Sequence, residues 1–318
     1  MNALEIKNKI IESNEVILTS HIDMDLDALG SILGLYYICT NLGKKTYIVI
    51  DDKEHTIEIK RALNNIKKEF NININSYKSI EKIISDKSLL IITDTNNEKR
   101  VQNKNLLNIK NKIVIDHHII SENKINSKYE YIDENASSAI EMILYLIDEL
   151  NIYIPTYIAT IMLAGMYIDT NGFLIKTTEK THKSAALLYK FNVDTIETEQ
   201  LLKQNFNEYK RRQKLVLKTE FINNYAISYD ESVYIPIELA KASDVLLTFN
   251  DIEASFVIAK IDKNTIGISA RSIGNIDVEK IMKHFNGGGH RTIAATQIKD
   301  TDIEKVKNDL IYYLGGLE

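Results

Sequence analysis

Three apolar runs in the first 120 residues each stop at an acid or an imidazole. Glu15–Thr19 leads into His21-Ile22-Asp23-Met24-Asp25-Leu26-Asp27, Leu89–Thr93 into Asp94, and Lys112–Ile115 into Asp116-His117-His118. Runs this short and continuously apolar suit strands buried on both faces, as parallel strands covered by helices are. Helical patterns at Ala28–Thr40, Thr56–Leu63 and Ser79–Ile84, with a further strand at Thr46–Ile50, separate them. The alternation predicts an α/β chain, a mostly parallel sheet flanked by helices. In such a sheet ligands bind at the carboxyl ends of the strands. The acids and histidines therefore converge on one edge, where like charges repel unless a cation lies between them.

Downstream, Ser138 and Glu141 have capping-box spacing ahead of an apolar face at Ile143, Leu146, Ile147 and Leu150. Pro155 opens a helix that runs through Ile168 into a fourth acid, Asp169. Helical patterns follow at Lys180–Tyr189 and Asn205–Glu220, the second charged enough to read as a solvated connector. Later come strands at Phe221–Ser228, Ala254–Ile261, Thr265–Arg271 and Thr292–Ile298, with helices at Val278–His284 and Asp302–Tyr313. These predict a smaller α/β C-terminal domain. The expected organisation is a catalytic domain over 1–192, a helical connector over 193–222 and a substrate domain over 223–318, with the active site in the interdomain cleft.

Composition removes several classes. With 44% hydrophobic and 26% charged residues over 318 positions, the chain can build sizeable cores and is not globally disordered. A net charge of −5 argues against a duplex-DNA surface, yet leaves room for an anionic ligand held through bound cations. One cysteine, Cys39, excludes an intrachain disulfide. The N-terminal residues lack a signal-peptide apolar core, and the run Tyr157–Ile168 is too short to span a bilayer. The expectation is a cytoplasmic protein with no membrane partner.

A single Asp after a strand is ordinarily a cap or turn residue, and Asp27 could cap the helix beginning near Ala28. Caps do not account for His21, His117 and His118, three of the seven histidines, gathering at these ends. Oxygen and imidazole donors without thiolate suit a hard or borderline divalent ion such as Mn²⁺. Two ions sharing a carboxylate would use His21, Asp25, Asp27, Asp94, His117 and Asp169, and such pairs are typical of phosphoryl transfer. Far along the chain, Asn286-Gly287-Gly288-Gly289-His290-Arg291 offers backbone N–H groups that can approach an anion closely. The strand ending in Arg271-Ser272 adds a cation. The second domain would then grip the substrate on which the first acts.

In order, His21-x-x-x-Asp25-x-Asp27-x-x-Gly30-Ser31, Asp94, Asp116-His117-His118 and Asp169-Thr170 is similar to the four-motif signature of the DHH phosphoesterase superfamily. Gly287–His290 resembles the hallmark of the DHH-associated C-terminal domain, and the likeness spans about residues 15–315. Asn135–Glu141, Ala242–Ile258 and Gly267–Gln297 look like the catalytic part of GdpP-type cyclic-di-AMP phosphodiesterases, while Lys176–His182 and Arg100 after Asp94 are similar to the oligoribonuclease branch. The resemblance implies that His21, Asp25 and Asp94 hold one Mn²⁺. Asp27, Asp94, His117 and Asp169 would hold a second, with Asp94 bridging. Asp116 would orient a ligand, and His118 would touch the scissile phosphate or support the ligands. Arg271, Ser272, Gly287, Gly288, Gly289 and His290 would hold the substrate, while Asp23 matches no ligand position. The implied reaction is hydrolysis of cyclic-di-AMP to linear pApA, and on to AMP, by in-line attack of a bridging hydroxide. The alternative on the same site is an oligoribonuclease (nanoRNase) and 3′-phosphoadenosine-5′-phosphate phosphatase. Partners would be a cyclic dinucleotide or short oligonucleotide, and a homodimer is allowed.

Overall fold

Strands without a polar face can be covered only by helices on both sides, and the N-terminal part is built that way. The computed structural model describes residues 1–51 and 55–316. The chain divides into two compact units, Met1–Lys203 and Gln204–Glu318. In the first, β1 (Glu15–Thr19), β2 (Lys45–Val49), β3 (Ile74–Asn75), β4 (Leu89–Thr93), β5 (Asn111–Asp116) and β6 (Tyr129–Ile132) form one sheet. The order is β3-β2-β1-β4-β5-β6 and every pair is parallel. β1 and β4 are buried throughout. The strand order reverses between them, which makes their carboxyl ends the topological switch point where ligands bind.

The helices of this unit are α1 (Ala3–Glu12), α2 (Leu26–Asn41), α3 (Ile57–Glu69), α4 (Tyr77–Ile80), α5 (Ala139–Glu149), α6 (Thr156–Asp169), α7 (Glu179–Lys190) and α8 (Thr195–Leu201). α2 is apolar on nearly every face and is buried accordingly. It meets α5 and α6 at glycines. A Cβ on Gly30 would lie 2.7 Å from Ile140 Cδ1, and one on Gly165 would lie 2.5 Å from the same atom and 2.7 Å from Leu26 O. Gly165 precedes Asp169 by one helical turn, so this contact places the end of α6 beside the start of α2. Ser138 caps α5 by accepting from Glu141 N at 3.1 Å, but the Glu141 carboxylate turns to Ser137 and Thr181 and leaves the box half made.

In the second unit, β7 (Thr219–Ile222), β8 (Tyr225–Val233), β9 (Ala254–Lys260), β10 (Thr265–Ser272), β11 (Gly288–His290) and β12 (Ile293–Lys299) run in the order β11-β12-β10-β9-β8-β7. All pairs are antiparallel except β8 with β9. Its helices are α9 (Phe206–Val216), α10 (Pro236–Leu246), α11 (Val278–His284) and α12 (Ile303–Gly315). Among the described residues no helix is long and apolar enough to cross a membrane.

Three expectations give way here. The single strand at Phe221–Ser228 is a hairpin, β7 and β8, reversed at Asn223 with φ 51°. Residues 193–222 form no separate connector. Leu201 of α8 is buried in the core of the first unit, and Leu215 of α9 is buried with Leu239 and Ala242 in the second. The glycine-rich segment is an edge strand, not an open turn. Gly287 and Gly289 let it close on β12, since a Cβ on either would collide with the carbonyl of Ala295 or Ile293.

Gly165→Ala should cost about 1–3 kcal/mol by overpacking the helix contact, read as a lower urea midpoint. Gly288→Ala, whose Cβ would meet open space, should stay within about 0.5 kcal/mol of the wild type.

Candidate metal centre

The switch point gathers the acids and histidines from four element ends. His21 follows β1. Its Nδ1 lies 2.6 Å from Ile22 O, which can only accept, so Nδ1 carries the proton. Nε2 is left facing Asp94 Oδ2 at 3.2 Å and Asp25 Oδ2 at 3.8 Å. Asp94 follows β4 with φ 61°, a left-handed conformation that costs energy in a residue other than glycine and that collects at functional sites. A bond from its N–H to Ile115 O holds it there at 2.9 Å. β5 delivers Asp116, His117 and His118. His117 Nε2 approaches Asp94 Oδ1 at 3.3 Å, Asp169 Oδ2 at 3.5 Å and Asp27 Oδ2 at 3.7 Å, the aspartate at 169 coming from the last turn of α6.

Asp25, not Asp27, is the N-cap of α2 and accepts from Ala28 N at 3.0 Å. Asp27, one position inside the helix and 1% exposed, reaches across to α5. There it accepts from Ala139 N at 2.8 Å and Ile140 N at 2.9 Å. The positive end of the α5 dipole thus faces a ligand-type carboxylate. Asp23 is a turn residue with φ 57°.

Behind these groups lies a layer of which the sequence revealed Asp116 but not its amide partners. Asp116, fully buried, accepts from His118 Nδ1 at 2.8 Å and from Asn96 Nδ2 at 2.6 Å. Gln102 Nε2 donates to His21 O at 2.7 Å, and a β-bridge joins His21 to Val101. Nothing marks Asn96 or Gln102 among the many amides of this chain, because only the fold brings them to the motif residues.

Of the residues expected to hold substrate, Arg271, Gly288, Gly289 and His290 line a cavity of about 530 Å³ in the second unit, walled by Ile237, Leu239 and Ile261. Arg271 Nε is bonded to Asp244 Oδ1 at 2.8 Å. Ser272 and Gly287 do not line it. The Ser272 hydroxyl donates to Ile276 O at 2.6 Å, and Gly287 serves the β11–β12 approach.

The first-unit cluster offers three overlapping donor groups, His21–Asp25–Asp94, Asp94–His117–His118 and Asp27–His117–Asp169, with the donor atoms of each within 4.8 Å of one another. Asp94 Oδ1 and both nitrogens of His117 are buried and make no hydrogen bond. Buried polar atoms left unpaired cost stability, and a divalent cation coordinated here would satisfy an oxygen and a nitrogen together. The residues therefore fit a divalent metal. The electrostatics agree. Burial, then the charges of Asp94 and Asp169, push Asp27 well above the usual carboxylate range, and burial with Asp25 and Asp94 does the same to Asp169. Burial would also raise Asp94, but the close approach of the His117 and His21 imidazoles reverses it and holds the group below its ordinary value. Burial lowers His21 and His117, yet Asp94 outweighs it and both rise to about 9.

Residues 15–166 match the DHH family, N-terminal domain, and residues 223–315 match the DHHA1 domain. The chain carries a DHH domain followed by a DHHA1 domain. It is 32% identical to the cyclic-di-AMP phosphodiesterase GdpP of Bacillus subtilis, over 98% of this chain and 50% of that protein. It is 24% identical to the bifunctional oligoribonuclease and PAP phosphatase NrnA of Mycoplasma genitalium, over 96% of this chain and 95% of that protein. This DHH chain spans half or less of the length of the curated relatives that it matches above 30% identity. Its fold is shared with an exopolyphosphatase-related protein from Bacteroides fragilis, at TM-score 0.80 and 20% identity over 98% of this chain and 96% of that one.

The raised groups make a pH test available. Metal-free, His21, His117, Asp27 and Asp169 bind protons more tightly folded than unfolded, so stability falls as pH rises. The histidine contribution is full below about 6.5 and is lost through about 9. Asp94, shifted the other way, does not titrate in that window. In chelator, the urea midpoint should fall from pH 6.5 to pH 9, and saturating divalent ion, which replaces the protons, should flatten the slope.

Proposed function

We propose that the chain is a divalent-metal-dependent phosphodiesterase that opens cyclic-di-AMP to linear pApA and carries it on to AMP. The observation that carries this reading is Asp94, a strained, buried carboxylate with His21 and Asp25 on one side and His117 on the other. It lies in a chain related over nearly its whole length to a cyclic-di-AMP phosphodiesterase. His21, Asp25 and Asp94 would hold one Mn²⁺, and Asp27, Asp94, His117 and Asp169 the other, with Asp94 bridging. Two such ions would stabilise the attacking and leaving oxygens of an in-line displacement.

The chain's own groups do the rest. Asn96 fixes Asp116, and Asp116 fixes His118 through Nδ1. That leaves Nε2 of the half-exposed ring for the scissile phosphate. In the DHHA1 unit, Arg271, Gly288, Gly289 and His290 would receive the nucleotide, with the apolar walls of their cavity against its base. A second reading, oligoribonuclease and 3′-phosphoadenosine-5′-phosphate phosphatase on the same residues, is favoured by the NrnA relative, which matches along 95% of its own length.

With Mn²⁺, kcat/KM should be highest on cyclic-di-AMP when it is compared with pApA and phosphoadenosine phosphate. Turnover of the latter two with cyclic-di-AMP untouched would replace the first reading by the second. Asp94→Asn keeps a residue that tolerates left-handed backbone and should lower kcat/KM by more than about 100-fold, beyond the usual effect of losing a ligand's supporting partner. Activity near the wild type would end the bridging role.

A further inference from the structure

Five carboxylates, Asp25, Asp27, Asp94, Asp116 and Asp169, meet at the centre. Two divalent ions bring at most four positive charges, and a dinucleotide adds further negative charge. A cation beside the centre that faces the substrate would offset part of that charge.

Arg100 is exposed and stands at the His21 end, its Nη2 3.5 Å from His21 Nδ1. Because Nδ1 donates to Ile22 O, the guanidinium finds no acceptor on the ring. Among the described residues it makes no ion pair. Its backbone, by contrast, is fixed. Arg100 O accepts from Ile22 N at 2.7 Å, Arg100 N donates to Asn97 O at 3.1 Å, and Gln102 N donates to Ser20 O at 3.1 Å. The β-bridge between Val101 and His21 completes the attachment to the end of β1. A fixed main chain thus carries an unspent planar fork of donors, the geometry that binds phosphate in pairs of hydrogen bonds.

We propose that Arg100 is a substrate-binding residue that takes the phosphate next to the scissile one and so favours substrates with two phosphates over a lone phosphodiester. It approaches the Nδ1 edge of His21, whereas Asp94 lies at the Nε2 edge, so the ring separates it from the reacting centre. The assignment rests on the phosphodiesterase reading and adds to it a discrimination located in the first unit.

The test uses Arg100→Ala and Arg100→Lys in the full chain with Mn²⁺, on pApA and on bis(p-nitrophenyl) phosphate, a diester with no second phosphate. Arg100→Ala should lower kcat/KM on pApA about 10–100-fold, mainly through KM. It should leave the reporter near the wild-type value, and Arg100→Lys should recover part of the loss. Calorimetric titration with pApA in chelator, where the metal-dependent reaction is off, reads the same contact without turnover, and Kd should weaken by a similar factor. Equal losses on both substrates, no loss on pApA, or a pApA Kd that is equal in the two proteins or unmeasurable in the wild type overturns the assignment. Failure of the underlying reading looks different, since the wild type itself would then leave cyclic-di-AMP intact.

Discussion

Everything in the first unit is arranged around carboxylates that cannot stay charged together without help. Asp27 and Asp94 are removed from water, stand close to Asp169, and share His117, which only partly offsets them. No arrangement of this kind persists for its own stability. It persists because strands buried on both faces can present side chains only at their ends, and because the strand order brings two of those ends together. The glycine contacts of α2 with α6 then add Asp169 from the helical layer.

The fold was legible where burial was symmetrical. β1 and β4, buried on both sides, announced themselves as apolar runs, as did β9 and β10 in the second unit. The half-buried edge strands β3 and β6 carry no such pattern and went unread. β7 and β8 merged into one expected strand because Asn223 makes the turn without a glycine to mark it. α10 begins with Pro236 at its first position, a signal present in the sequence that the surrounding strand patterns obscured.

For the centre, residue types and element ends sufficed to gather His21, Asp25, Asp27, Asp94, His117 and Asp169. What the sequence could not supply was the direction in which each carboxylate is held. Asp27 finds its partners 112 and 113 residues away, and Asn96 and Gln102 matter only through positions that the sheet creates. The glycine triplet has a second duty that was hidden for a related reason. Its spacing suits an anion-binding loop, but two of its three glycines are needed for close approach to a neighbouring strand.

The grip of α5 on Asp27 has a consequence for selectivity among ions. A carboxylate with each oxygen already bonded to a backbone N–H cannot swing or change from one-point to two-point coordination without breaking the helix start. Its bite is therefore set before any ion arrives. Capture needs little reorganisation, and the spacing between Asp27, His117 and Asp169 becomes a gauge of ionic radius. Calcium, which takes longer bonds and more oxygens, meets a ligand that cannot retreat to make room. A smaller ion with fewer ligands would ask less of it.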